Sequence, residues 1–111
     1  MSQVHEHRTF GASQWMTALL YLQASDPSEL SSGWLAYLIY RHGSCASSRL
    51  DPDQWFPVAR DAARAREEAA EAIAVCAACP VRGECLEFAL RHNSSFGGHG
   101  VWGGMVEADR R

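Results

Sequence analysis

The chain has 111 residues, 47% of them hydrophobic and 21% charged, a formal charge of −3, and arginine in place of every lysine. Such a length and mix describe one small globular domain rather than a disordered or repetitive chain. They argue against generic nucleic-acid binding, which needs dense positive charge, and no apolar run approaches the ~20 residues of a membrane helix.

The opening "MSQVHEHRTF" lacks the basic-then-apolar order of a secretory signal. A cytoplasmic protein is expected, a setting in which clustered cysteines mark metal or redox sites more often than structural disulfides. Ser13 is a candidate N-cap, and Trp15, Leu19 and Leu22 recur near helical spacing, which predicts a helix over about 14–24. Pro27 forces Asp26 out of helical geometry and ends that segment. "SSGWLAYLIYRHG" predicts a second helix over about 32–42, apolar on nearly every side. Gly43 stands at its C′ position, and Arg41 and His42 suit the negative helix end. "SSRLDPDQWFPV" reads as a loop punctuated by Pro52 and Pro57. The alanine-rich run from about Arg60 to Ala78 predicts a third helix, with Arg64 and Glu68 four apart and an apolar face at Ala62, Ala65, Ala69, Ile73 and Cys76. Pro80 ends it and opens a last helix over about 81–92. A glycine-rich turn and a short acidic-then-basic end follow, so the fold class is all-α, about four helices.

Four cysteines stand out on this frame. Cys45 leaves the second helix on a short turn, Cys76 falls in the last turn of the third, Cys79 in the break before Pro80, and Cys85 on the second turn of the last helix. Three thiols thus converge on one helix–helix corner, where the N-terminus of the last helix is expected to favour thiolate. Four thiolates suit either tetrahedral zinc or a [4Fe–4S] cluster. Zinc ribbons pair two Cys-x-x-Cys knuckles and only one is present, so intervening lengths of 30, 2 and 5 leave both metals open. "CAACP" also has the form of a thioredoxin-like site, but no strand precedes it. A thiol-disulfide oxidoreductase using Cys76 and Cys79 and a zinc-stabilised adaptor are the alternatives.

Downstream, "GVWGG" at 100–104 completes a pattern. Cys45, "DPDQWFP", "CAACPVRGEC" and "GVWGGMVEADRR" together resemble the WhiB-like family of actinobacterial transcription regulators. The resemblance covers 45–111, a WhiB-like iron–sulfur domain, and leaves 1–44 as an N-terminal helical extension expected to wrap it. It implies a [4Fe–4S] cluster, sensitive to oxygen and nitric oxide, held by Cys45, Cys76, Cys79 and Cys85. It further implies a non-enzymatic regulator that binds region 4 of the primary sigma factor within RNA polymerase, with no small-molecule substrate. Trp55, Phe56 and Trp102 would form the sigma-facing surface. Gly100, Gly103 and Gly104 can take positive φ and present Trp102 on a tight turn. Relatives often carry a basic tail after this turn, whereas here only Arg110 and Arg111 follow, so DNA contact is expected only through the sigma complex. Arg60, Arg64 and Arg66, and the run Glu67, Glu68, Glu71, read as solvated helix faces. His92 and His99 flank the turn as ordinary polar residues able to substitute for a lost ligand.

Overall fold

A computed structural model describes residues 26–93 and 98–111. The helix expected over 14–24 lies outside them. The described chain is all helical apart from one antiparallel bridge between Trp102 and Met105. Its helices are α1 (Ser32–His42), α2 (Ala62–Glu68), α3 (Ala70–Ala77), α4 (Arg82–Arg91) and a short α5 (Glu107–Arg110), with 3-10 turns at Pro27–Glu29, Ser44–Ser47 and Pro52–Trp55.

Local chemistry explains the starts and stops. The Asp26 carboxylate accepts from the Ser28 N–H at 3.0 Å, and Ser31 Oγ caps α1 by accepting from the Trp34 N–H at 3.1 Å. α1 has the expected limits, but only Leu35 and Leu38 are buried, while Trp34 and Tyr40 are exposed. Gly43 closes α1 with an extended backbone (φ −67°) rather than a left-handed one. Glycine is required there by closeness, since a Cβ would lie 2.7 Å from the Ile39 carbonyl oxygen.

The single long helix expected over 60–78 is instead two. Asp61 caps α2, and the chain breaks at the fully buried Ala69 (φ −104°, ψ 16°) before α3 begins. No proline or glycine marks the break. Glu68, expected to face Arg64, accepts the N–H groups of Val58 and Ala59 at 2.9 and 3.2 Å and ties the preceding loop to the helix end. α4 begins two residues after Pro80, with the buried Val81 at its N-cap. The C-terminal α5 was not foreseen.

Two small cores result. Ala65, Ala69, Ala72, Cys76, Val101 and Val106 form one, with Trp55 and Ile73 packed against it; Leu38 and Val81 form the other, with Leu30, Tyr37 and Cys79 against it. Leu35, Leu38, Val81 and Val106 are the largest fully buried side chains among the described residues, each contributing about 1.5–3 kcal/mol. Cys76 belongs to one core and Cys79 leans on the other. The cysteine corner is therefore the seam of the molecule.

Candidate metal centre

Each cysteine reaches the seam from a different local structure. Cys45 comes on the 3-10 turn after α1, Cys76 on the last turn of α3, Cys79 in the α3–α4 corner, and Cys85 at the fourth position of α4. All four line one cavity of about 350 Å³. Cys76 is buried, Cys79 and Cys85 are half-buried, and the exposed Cys45 stands at the mouth. Ile39, Val75, Val81 and Val101 supply apolar wall, and Trp55, Phe56 and Trp102 also line the space.

The donors around the sulfurs differ from expectation. The Ser44 N–H donates to Cys79 Sγ at 3.4 Å, and the N–H groups of Gly104 and Gly103 are directed at Cys76 and Cys85. These amides come from the loop after α1 and from the glycine turn, not from the α4 N-terminus, where the Cys85 N–H is already bonded to the Val81 carbonyl at 2.9 Å. Burial outweighs them. It pushes the Cys76 thiol up and drives Cys85 up to about 12, aided by the neighbouring sulfurs. Without a bound group, burial therefore favours the neutral thiol at Cys76 and Cys85, unlike the low-pKa attacking thiol of an oxidoreductase. A bound cation inverts that preference and makes thiolate the stable form.

The lining contains cysteine and no Asp, Glu or His, a uniformly soft donor set. Among the described residues, no group of three or more His, Cys, Asp or Glu is already drawn together around a metal position. Four thiols opening on one cavity are a donor set that fits an iron–sulfur group.

The glycine turn forms one wall. Trp102 and Met105 exchange backbone hydrogen bonds at 3.1 and 3.0 Å, and the intervening Gly103 and Gly104 have φ of 59° and 82°, as mirror-image hairpin turns require. Gly100 is also positive, at 78°. A Cβ on Gly103 would lie 2.6 Å from Leu86 Cβ, so the turn rests directly on α4. The Val101 N–H donates to the Trp55 carbonyl at 2.8 Å, which joins this turn to the Pro52–Trp55 turn and brings the three aromatics together. Phe56 is 59% exposed, Trp55 packs half-buried against the larger core, and Trp102 is half-buried with its indole N–H on the His99 carbonyl at 2.8 Å.

Three arginines matter that the sequence did not single out for the site. Arg110 is buried and donates from Nη1 to the carbonyls of Gly100 (2.9 Å) and Met105 (2.7 Å), clamping the turn at both ends. Arg82 Nε donates to the Gly103 carbonyl at 3.2 Å. Arg91 holds Glu87 and reaches Ser32 Oγ and the carbonyls of Pro27 and Ser28, latching the start of α1 to α4. The "GVWGG" run names the turn but gives no sign of which cations hold it. Other candidates lie off the cavity. The His92 ring sits 4.5 Å from Phe88, and His99 is exposed, 3.9 Å from Glu107. Arg66 pairs with Asp109 at 2.8 Å.

Comparison with known proteins gives a consistent answer. The family profile described as Transcription factor WhiB matches residues 40–111. The transcriptional regulator WhiB of Streptomyces coelicolor is 36% identical over 96 residues, covering 86% of this chain and 92% of its own length. WhiB2 of Mycobacterium tuberculosis is 42% identical over 67 residues, 60% of this chain and 63% of that one. WhiB1 of the same species is 44% identical over 61 residues, 55% of this chain and 68% of that one. No solved structure matches significantly. On the span of the profile match and the identity shared along nearly the whole Streptomyces relative, the chain belongs to the WhiB family of transcription factors.

Proposed function

We propose that the chain is a redox-responsive regulator whose Cys45, Cys76, Cys79 and Cys85 hold a [4Fe–4S] cluster, and that it acts at promoters through region 4 of the primary sigma factor. The observation that carries this reading is the cavity of about 350 Å³ on which all four thiols open, with backbone amides turned toward three of them. When bound, the cluster supplies reactivity toward oxygen or nitric oxide.

The protein's own residues connect the sulfurs to the surface. Gly103 and Gly104 face Cys85 and Cys76 with their amides and lie within the hairpin turn that starts at Trp102. The bond from Val101 to Trp55 carries the same turn to the exposed Phe56. Trp55, Phe56 and Trp102 so share one mount with the cysteines. An exposed aromatic beside a half-buried one, on a rigid turn, is what an interface anchor needs. DNA is reached through the partner: Arg66 is engaged by Asp109, and Arg110 is spent inside the fold.

Co-purification with region 4 of the primary sigma factor, under nitrogen, tests the reading. Protein kept anaerobic is expected to bind it, and Trp102→Ala and Phe56→Ala to weaken binding by about tenfold or more each. Equal capture by the anaerobic wild type and by protein stripped with chelator would remove the link between the cysteines and the partner.

A further inference from the structure

Arg82 occupies an unusual place. It stands on the first turn of α4 between Cys79 and Cys85, lines the four-cysteine cavity, and has no carboxylate within ion-pair distance among the described residues. Its Nε donates to the Gly103 carbonyl at 3.2 Å. A Cβ built on Gly104 would come within 3.1 Å of that same Nε, so the guanidinium lies close against the turn. The peptide it grips runs from the Gly103 carbonyl to the Gly104 N–H. That N–H is the one directed at Cys76, while the preceding amide, of Gly103, is directed at Cys85. A donor on one end of a peptide unit fixes the direction in which the other end points, because the unit is planar.

We propose that Arg82 is a positioning residue for the bound group: it orients the Gly103–Gly104 peptide so that the Gly104 amide faces Cys76, and it brings a positive charge to a four-thiolate centre. Four thiolates on one cluster leave net negative charge, and hydrogen bonds to sulfur and nearby charge are the terms by which a protein sets cluster potential. The guanidinium acts on both terms at once. Arg110 holds the turn elsewhere, through the carbonyls of Gly100 and Met105, so the two arginines grip it at different peptides.

This inference rests on the iron–sulfur reading, and its test separates the two. Arg82→Met and Arg82→Lys are compared with wild type, each with its far-ultraviolet dichroism recorded as a fold control. In cluster-loaded protein, Arg82→Met is expected to lower the reduction potential and bleach in air about tenfold faster, the scale of one charge-assisted hydrogen bond. Arg82→Lys, which keeps the charge and loses the planar donor, should recover part of the potential but not the visible dichroism of the wild type. In cluster-free, reduced protein, the Gly104 amide should exchange with deuterium faster in both variants, a readout independent of what metal is bound. Unchanged potential, bleaching and amide exchange in Arg82→Met would overturn the proposal, as would a lowered melting temperature with potential and exchange unmoved. A wild type that never takes up iron and sulfide would instead sink the cofactor reading, with the exchange result still deciding whether Arg82 positions the turn.

Discussion

At the scale of single residues, the tightest constraint is Gly103. Its φ of 59° disfavours any side chain by roughly 1–2 kcal/mol, and a methyl group would strike Leu86 at Cα, Cβ and N within 2.8 Å. Gly103→Ala is therefore expected to displace the turn from α4 and abolish retention of a bound cluster through gel filtration, whereas Gly33→Ala, with its nearest neighbour at 3.9 Å, should retain it. The thiols should also differ in reactivity once emptied. Cys85 is held as a neutral thiol because burial drives its pKa up to about 12, so near neutral pH it offers almost no thiolate. Cys45 is exposed. Mass spectrometry of cluster-free, reduced protein treated with iodoacetamide should show Cys45 alkylated first and Cys85 last. Raising the pH toward that value should speed Cys85 and erase the order. The turn glycines and the four cysteines were legible because glycine and cysteine have few substitutes for positive φ and soft-metal binding. The sulfur-facing amides were not, since backbone direction leaves no mark in side-chain identity.

Between elements, fixed carbonyls and arginines do much of the joining. α5 places Arg110 under the glycine turn, and its two bonds to Gly100 and Met105 have no counterpart in the sequence pattern. Arg110→Ala leaves those carbonyls without their cationic donor in a buried place, with an expected loss of about 3–5 kcal/mol, read by urea titration of the cluster-loaded protein. Lysine also carries several donors on one nitrogen, but on a shorter stem that reaches the two carbonyls less well, and should rescue the loss only in part. The Arg91 latch is solvent-facing and should matter less, about 1 kcal/mol for Arg91→Ala. Helices α1 and α4 were readable from apolar runs with caps. The break at Ala69 was not: an unbroken alanine-rich run favours one helix, and the bend there is set by packing and by Glu68 reaching Val58 and Ala59.

At the scale of the molecule, the described residues form two thin cores that meet at a sulfur-lined seam. Neither core is large; half of the buried residues of one are alanine and the other is built on Leu38 and Val81. Small domains of this kind need a staple, and the cysteines are contributed from both sides of the join. Folding and cofactor binding should therefore be coupled: removing the bound group loosens α1 and the Ser44–Ser47 turn from α3 and α4, and the aromatic mount goes with them. The all-α class and the cysteine corner could be read from spacing and helix ends. That the corner is also the boundary between two cores could not, because it depends on which faces meet. The most direct measurement is iron, acid-labile sulfide and zinc content of anaerobically isolated protein, together with its visible spectrum. About four iron and four sulfide per chain with broad visible absorption, lost in Cys45→Ala as in Cys76→Ala, is the predicted result. One zinc per chain in a colourless protein, or a cluster fully retained without Cys45, would contradict it.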